Sequence, residues 1–295
     1  MSRRLQVALY VAFTLFALAG SLVLTFPYGA LRRRIEVEAG KAMPGSTLVI
    51  NDIGPALPLG LRFADVVFAR DLGDKQLKVK IDRIRLRPAL WSLFTGKPGL
   101  LYTVDAFAGS VDGEVVRTKT GGKVEAVIKG LQLDEGKTLE RATGLDLTGG
   151  LSGRVELQTD SRGLVTDGNI AAIVAGGKVK SGNIMGFSLP RLDLGSPEVN
   201  LIITKGQAKI AKAETKSPDL DFKATGDVSL AQNLMASLIK GNVHLRLTDA
   251  FLARNPTIKG MLGFAGPFRK PDGSIELPLN GPLMRPLSIP GFGGY

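Results

Sequence analysis

The sequence contains no cysteine, one histidine and one tryptophan among its 295 residues. The lack of cysteine excludes disulfide bonds, thiolate catalysis and cysteine-ligated metal sites. The one histidine, His244, has no second imidazole with which to form an HExxH zinc site. It lies on the polar side of an alternating segment, which predicts a surface residue. These absences predict no metal site and no cofactor.

Other catalytic signatures are also missing. No G-x-S-x-G segment is present, so a nucleophile elbow is excluded. Gly136-Lys137-Thr138 resembles the end of a phosphate-binding loop, but the upstream glycine position is occupied by Leu131. The aspartates show no calcium-loop spacing. Carboxylate pairs that only the fold brings together remain open, but the sequence predicts no catalytic residue and a protein that is not an enzyme.

The balance of charge is strongly basic. The formal net charge is +11 at pH 7, which favours anionic partners such as lipid headgroups or an acidic protein surface. Aromatic residues make up only 6% of the chain, and the basic residues alternate with acids along predicted strands. A nucleic-acid interface needs basic patches with aromatic side chains for stacking. The composition therefore predicts membrane lipids or an acidic protein surface as partners, and no nucleic acid.

One long apolar segment, residues 5–26, contains no charged side chain. A helix of this length measures about 33 Å, against about 30 Å for a bilayer hydrocarbon core. A signal peptide cleaved after Ala19 is the competing interpretation, because residues 17–19 have a small-x-small pattern. Apolar residues resume after Ala19, which favours an uncleaved anchor. We predict a tail at residues 1–4 and a transmembrane helix at residues 5–27.

Residues 28–43 predict an amphipathic helix that continues from the membrane. Apolar residues recur there at spacings of three and four. Arg32 with Glu36 and Arg34 with Glu38 can pair across one turn. The helix is either an interfacial collar lying on the bilayer or a linker packed on the following domain. The predicted membrane-interface residues are Arg3, Arg4, Phe26, Pro27, Tyr28, Arg32, Arg33 and Arg34.

From Ser46 onward the hydrophobic period changes to two residues, which is typical of half-buried antiparallel strands. Strands are predicted at residues 61–70 and 75–87. The apolar parity changes at Asp82-Arg83 and again at Gly130, so we predict a β-bulge at each place. Because bulges bend strands, residues 44–295 are predicted to form one mainly β domain, a strongly curved antiparallel sheet of half-barrel or groove-like shape.

Short turns and helices punctuate this predicted sheet. Residues 220–230 alternate cleanly, with Asp219 on the polar parity. Short helices are predicted at residues 88–94 and 234–239, and Thr248-Asp249 begins a third. A proline-rich end at residues 267–294 predicts edge strands. The predicted turn pairs are Asp112-Gly113, Gly121-Gly122, Arg162-Gly163, Gly176-Gly177 and Asp272-Gly273.

Several short motifs resemble the type II secretion system protein N family (GspN) of deltaproteobacterial type, and the broader AsmA-like class. The motifs are residues 25–31, 57–61, 87–93, 96–98 and 281–283, with Pro286. The resemblance implies an inner-membrane anchor with a cytoplasmic tail, a periplasmic β domain and no catalytic residues. It implies an accessory or structural subunit that contacts other secretion-system subunits during export of folded proteins across the outer membrane.

The AsmA-like resemblance supplies an alternative. A curved sheet with one apolar concave face could hold acyl chains and act as a lipid-binding or lipid-transfer module between envelope membranes. A continuous apolar concave face with basic residues at its rim favours lipid, whereas a face filled by the protein's own side chains favours a scaffold. The change of parity after Asp82 leaves the face assignment open from sequence.

Overall fold

A computed structural model of the chain describes residues 26–57, 59–71, 76–89, 98–184, 187–231, 237–261 and 268–282, with Gly96 and isolated helical positions between residues 6 and 25. The greater part of these residues forms strands, and all strands belong to one antiparallel sheet. The predicted mainly β architecture is therefore confirmed.

Within the described residues the sheet has fifteen strands. They are β1 (Ser46–Pro55), β2 (Leu61–Asp71), β3 (Gln76–Pro88), β4 (Gly99–Ala106), β5 (Gly109–Arg117), β6 (Gly121–Gln132), β7 (Leu145–Asp160), β8 (Val165–Ile184), β9 (Phe187–Leu189), β10 (Leu192–Gly195), β11 (Glu198–Thr204), β12 (Gln207–Lys216), β13 (Leu220–Ser229), β14 (Leu238–Leu247) and β15 (Ile275–Pro282). The helices are α1 (Tyr28–Ala42), α2 (Thr138–Thr143, after a 3-10 turn at Glu135–Lys137), α3 (Asp249–Arg254) and α4 (Pro256–Met261).

The strands lie side by side in chain order. Apart from β9 and β10, which both pair with β8, each strand neighbours the next one along the chain from β1 to β15. Every ladder is antiparallel, so no crossover connection is needed. The sheet is open, with β1 and β15 at its two edges.

The bulge predicted at Asp82-Arg83 is wrong, because the ladder between β2 and β3 keeps one register on both sides of it. The parity change is real, but it occurs in three strands at once, at Asn51, Asp65 and Asp82, which lie opposite one another. Asp65 has a left-handed φ of 49°. Apolar residues that precede and follow this change of parity along the strands pack in one cluster around Phe63. The three strands change parity together, so none needs an extra residue.

The bulge predicted at Gly130 is confirmed. The register between β6 and β7 shifts between Ile128 and Leu131, and Gly130 has a φ of 60°. The Gly130 amide donates to Ser152 Oγ at 3.1 Å, which satisfies a group that the bulge removes from the ladder. The ladder between β7 and β8 has three further shifts. Register shifts also occur between β11 and β12 and between β12 and β13, so irregularities extend from β6 to β13.

Helix α1 confirms the predicted helix after the apolar segment and packs on β1. Ile35 contacts the cluster around Phe63, so the apolar stripe faces the sheet. The Glu36 carboxylate accepts a hydrogen bond from the Ile50 amide at 2.9 Å. The apolar side of α1 therefore packs on the domain that follows it, as the linker interpretation predicted.

The other predicted helices had mixed outcomes. Thr248 caps α3, with its hydroxyl accepting from the Phe251 amide at 3.2 Å, as predicted. Leu238 and Ile239 begin strand β14, so a helix through residue 239 is wrong there. The predicted helix at residues 88–94 lies largely outside the described residues. Strand β15 confirms the expected edge strand, and residues 283–295 are outside the described part of the chain.

Two predicted turns are wrong because the glycines serve strands instead. Asp112-Gly113 lies within β5, and Gly176-Gly177 lies within β8. The chain turns instead at Phe107 and Ala108, whose φ values are 50° and 53°. Arg162-Gly163 and Asp272-Gly273 do form turns, whereas Gly121-Gly122 begins β6.

The predicted transmembrane helix falls mostly outside the described residues. The positions that are described between residues 6 and 25 are helical. Among the described residues, no helix is long and apolar enough to cross a membrane.

The close fit at Gly113 predicts a large effect of adding one methyl group. A Cβ at Gly113 would lie 2.2 Å from the Glu125 carbonyl oxygen and 2.5 Å from the Tyr102 ring. A Cβ at Gly130 meets nothing within 4 Å, but its φ of +60° strains any side chain. We expect Gly113→Ala to lower the free energy of unfolding by about 3 kcal/mol and Gly130→Ala by about 1 kcal/mol.

Urea unfolding of the wild type and of the Gly113→Ala and Gly130→Ala variants measures this difference in the free energy of unfolding. Gly29→Ala is the control, because Gly29 is helical and has open space around it, so alanine should stabilise the helix slightly. A Gly113→Ala variant as stable as the wild type would contradict the packing described for Tyr102.

Candidate functional site

The two faces of the sheet differ sharply in chemistry. Residues paired across an antiparallel ladder point to the same side, so rows of partners define each face. One row crosses the whole sheet without a charged side chain: Pro55, Leu61, Leu86, Tyr102, Gly113, Ala126, Val155, Ile170, Leu201, Ile210, Gly226, Gly241 and Leu279. We call this side the apolar face.

Parallel rows on either side of it are also apolar. One contains Ile53, Phe63, Ile84, Val104, Val111, Ile128, Gly153, Ala172, Val199 and Ala213. The other contains Pro88, Leu100, Val115, Val124, Leu157, Gly168, Ile203, Ala208, Val228, Ile239 and Gly281. The three rows together make a continuous hydrocarbon surface.

The opposite side, the polar face, carries most of the charge. A representative row contains Arg87, Leu101, Glu114, Glu125, Glu156, Asn169, Ile202, Lys209, Asp227, Lys240 and Asn280. Ion pairs connect neighbouring strands there, such as Arg85 with Asp105 at 3.1 Å and Lys129 with Asp112 at 2.8 Å. Such exposed pairs contribute little stability, but they keep this face in water.

The apolar face is closed at both ends of the sheet and open in the middle. Phe63 and Val66 are buried in one cluster near β1, and Ile203 and Val228 in another near β15. Between them, on β4 and β5, Leu100 is 40% exposed and Val115 is 39% exposed. Among the described helices, α1 packs chiefly on β1 and α2 on β3 and β7. The central strands therefore present aliphatic side chains without extensive cover from a described helix.

Glycines on the apolar face bring neighbouring strands close together. A Cβ would lie 2.5 Å from a backbone oxygen at Gly153, 2.3 Å at Gly168 and 2.1 Å at Gly241. Real Cβ atoms almost never approach so closely, so these positions require glycine. The same glycines leave shallow places between the aliphatic side chains.

Asp112 shows how the polar face is held together. Its carboxylate accepts hydrogen bonds from Lys129 Nζ at 2.8 Å and Thr103 Oγ1 at 2.9 Å. These two bonds hold the pKa of Asp112 below its ordinary value, with Lys129 the larger cause. The three residues link strands β4, β5 and β6 on the side opposite the open apolar surface.

The structure divides the predicted membrane-interface residues into different environments. Arg32 donates to the Asn51 carbonyl oxygen at 3.2 Å and lies 3.9 Å from Glu36, so it covers the outer edge of β1. Glu38 pairs with Lys41 rather than with Arg34. The exposed members of the predicted set are Phe26, Pro27, Arg33 and Arg34, and Tyr28 is half-buried. Arg3 and Arg4 lie outside the described residues.

Two residues singled out by the alternation differ from expectation. His244 lies between Lys223 and Glu276 in the ladder. Its side chain is half-buried, whereas the alternation predicted a solvent-exposed residue. Asp219 is only 5% exposed, and its carboxylate accepts from Arg254 and from the Asp193 amide. Within the described residues, no group of acidic or histidine side chains could hold a metal ion.

Comparison with known proteins adds no identification. No family model, no curated protein and no solved structure matches the chain. The described parts of the motifs at residues 57–61, 87–93 and 281–283 lie at strand ends along the same rim of the sheet. The likeness to the secretion and AsmA-like families therefore remains a prediction from those motifs.

Sequence reasoning recognised apolar parity in single strands but missed the three continuous rows. The rows depend on which residues are opposite one another, and a single strand does not contain that information. The period-two pattern indicated which residues of a strand share a face. Correct turn positions between the strands would also have indicated which residues lie opposite one another.

The pKa of Asp112 predicts a pH-dependent contribution to stability. A lowered pKa in the folded state means that the contribution is complete above the ordinary aspartate pKa and is lost as the pH falls through the folded value. We expect Asp112→Asn to lower the free energy of unfolding by up to about 1 kcal/mol at neutral pH, because the pair is partly exposed. The difference from wild type should vanish at acidic pH.

Urea unfolding across this pH range tests the prediction. Asp227→Asn is a matched control on the same face, since no hydrogen bond or ion pair joins the Asp227 side chain to another described residue. A difference between Asp112→Asn and wild type that stays constant down to low pH would contradict the assigned cause.

Proposed function

We propose that the apolar face is a groove that holds the acyl chains of membrane lipids, and that the protein binds or transfers lipid beside a membrane. The observation that carries the proposal is the uninterrupted apolar row from Pro55 to Leu279, beside a parallel apolar row that is open to solvent at Leu100 and Val115. Exposed apolar surfaces of this extent mark binding sites in soluble domains. The row is aliphatic and nearly free of hydrogen-bonding groups, which suits a hydrocarbon chain better than a protein surface.

The dimensions fit acyl chains. Adjacent strands lie about 4.8 Å apart, so the path from β1 to β15 measures roughly 60 Å along the sheet. Three rows of side chains span about 13 Å along the strands. One leaflet of a bilayer core is about 15 Å thick, so the surface has room for several chains end to end.

The glycine contacts support a curved sheet with the apolar face on its inner side. Gly113, Gly153, Gly168 and Gly241 all lie on that face, and each removes a side chain from a place of close strand approach. Strands that approach closely on one face bend the sheet toward it. The concave, groove-like shape proposed here agrees with the bulge at Gly130.

The membrane setting is part of the same proposal. Residues 5–26 anchor the chain in a bacterial inner membrane, with the sheet in the periplasm. Arg33 and Arg34 lie on the exposed side of α1, where they can face lipid phosphates. Helix α1 packs against the β1 end of the sheet, so this end of the groove lies nearest the membrane.

A second candidate function is that of an accessory subunit of the type II secretion system. The observation that favours it is the open edge at β15, which pairs with β14 and has only an isolated bridge from Arg269 on its other side among the described residues. An exposed edge can recruit a partner strand. Pro278 and Pro282 remove two donors from that edge, which limits such pairing.

Two adjacent leucines test the lipid proposal. Leu100 and Leu101 are 40% and 43% exposed, but they lie on the apolar and polar faces respectively. A photo-crosslinking amino acid is placed at each position in the full chain, which is irradiated in native membranes. We expect mass spectrometry to find lipid adducts at position 100 and few at position 101.

The substitutions Leu100→Lys and Leu101→Lys provide the matched functional test. Both add one charge to a similarly exposed site, but only Leu100→Lys places an ammonium group on the proposed hydrocarbon surface. We expect it to reduce bound lipid several-fold with little change in melting temperature. Equal labelling at both positions, or equal lipid in both variants, refutes the groove.

Deleting the gene separates the two candidate functions. Lipid handling predicts a leaky outer membrane with normal secretion of a folded enzyme. The secretion role predicts a periplasmic backlog of that enzyme behind an intact permeability barrier.

A further inference from the structure

A polar cavity of about 780 Å³ lies at one rim of the groove, where three hairpin turns meet. The turns join β5 to β6, β7 to β8 and β11 to β12, and we call the cavity the rim pocket. Its lining combines hydroxyl, amide and ammonium groups from Thr118, Gln158, Thr159 and Lys205 with the carboxylates of Asp160 and Asp167, and the Lys123 ammonium group there is paired with Glu125. It is the strand ends, rather than loops far from the sheet, that form it.

The rim pocket adjoins the apolar face directly. Val124 and Leu157 are partners in one apolar row. Two residues further along the same strands, about 7 Å away, come Gly122 and Thr159, which line the pocket. A molecule lying along the row at Leu157 therefore reaches the Thr159 side chain at its end, while Lys123, Gln158 and Asp167 line the pocket from the polar face.

The charge of these turns is positive. Residues 117–123, 158–167 and 204–207 carry five basic side chains against two acids, and the charged residues are Arg117, Lys119, Lys123, Arg162, Lys205, Asp160 and Asp167.

Both acids accept hydrogen bonds from backbone amides. Asp160 accepts from the Arg162 and Leu164 amides, each at 2.9 Å, and its pKa is lowered chiefly by the bond from Leu164. Asp167 accepts from the Lys205 amide at 3.4 Å. The exposed ammonium group of Lys205 has no ion pair with a described carboxylate, and it is available to an anion.

We infer that the rim pocket binds the phosphate of a lipid headgroup whose acyl chains lie on the apolar face. The inference rests on the proposed lipid-binding function and assigns the orientation of the lipid. Lys205 supplies the charge, as a lysine does at many phosphate sites, and the hydroxyls of Thr118 and Thr120 line the same cavity. The hydroxyls of Thr159 and Thr166 already donate to the Gly122 and Gln158 carbonyl oxygens. A purely apolar ligand would gain nothing from these groups.

The test compares two lipids with identical chains, phosphatidylglycerol and diacylglycerol, which differ by the phosphate-bearing headgroup. The full chain in detergent is titrated with each and the complexes are counted by native mass spectrometry. We expect wild type to bind phosphatidylglycerol more tightly. Lys205→Glu should lower that affinity about tenfold and leave the affinity for diacylglycerol unchanged.

Lys216→Glu is the matched control, because Lys205 lies two residues before β12 and Lys216 ends it at the opposite rim. Both lysines are exposed, and both substitutions change the net charge equally. We expect Lys216→Glu to alter either affinity less than twofold. Equal losses in the two variants would mean unspecific attraction of an anion to a basic protein and would overturn the inference.

The remaining outcomes separate the inference from the function on which it rests. If both lipids bind equally and Leu100→Lys weakens both, the groove stands and the rim pocket is refuted. If neither lipid binds wild type, the proposed function itself fails. If glycerol 3-phosphate, which lacks acyl chains, binds as tightly as phosphatidylglycerol and depends on Lys205, the site serves a soluble phosphate and the inference is overturned.

Discussion

The cross-strand register is the constraint on which this structure depends. A slip of one residue between two strands would move every side chain beyond it to the other face. Among the described helices, α2 packs on β3 and β7 in the central part of the sheet, so the ladders themselves must preserve the pattern on most of the strands there. The apolar row from Pro55 to Leu279 persists because each ladder keeps register or shifts only where a bulge compensates. The chemistry of both faces follows from this one requirement.

Two devices preserve the apolar face where strands must bend. At Gly130 one strand accommodates an extra residue, and its left-handed backbone needs glycine or a strained substitute. At Asn51, Asp65 and Asp82 three strands change parity together, and Lys80 approaches the Asp65 and Asp82 carboxylates at 3.6 Å and 3.8 Å. Both devices leave apolar residues on the same side of the sheet.

These two places also show how far the sequence alone could lead. The mainly β fold, α1 and the Gly130 bulge follow from period and parity within single segments. The parity change at Asp82 looks the same in one strand whether or not its partners also change, so the bulge predicted there was wrong. Asp112-Gly113 has the composition of a turn, but the Tyr102 ring beside it requires glycine within a strand. The candidate groove needed the pairing of all the strands, which no local pattern contains.

The distribution of exposure is the physical argument for an occupant of the proposed groove. The apolar face is buried at its two ends in clusters around Phe63 and Ile203. The two hydrophobic cores of the fold therefore do not include the side chains on β4 and β5. At Leu100 and Val115 the row of side chains remains open, although covering it would be favourable by about 25 cal/mol per Å² of apolar surface removed from water. Helix α1 covers the backbone edge at β1, which removes one site for pairing with another sheet. A ligand that covers the face rather than the edges relieves this exposure, and hydrocarbon chains meet that requirement without needing a hydrogen-bonding partner.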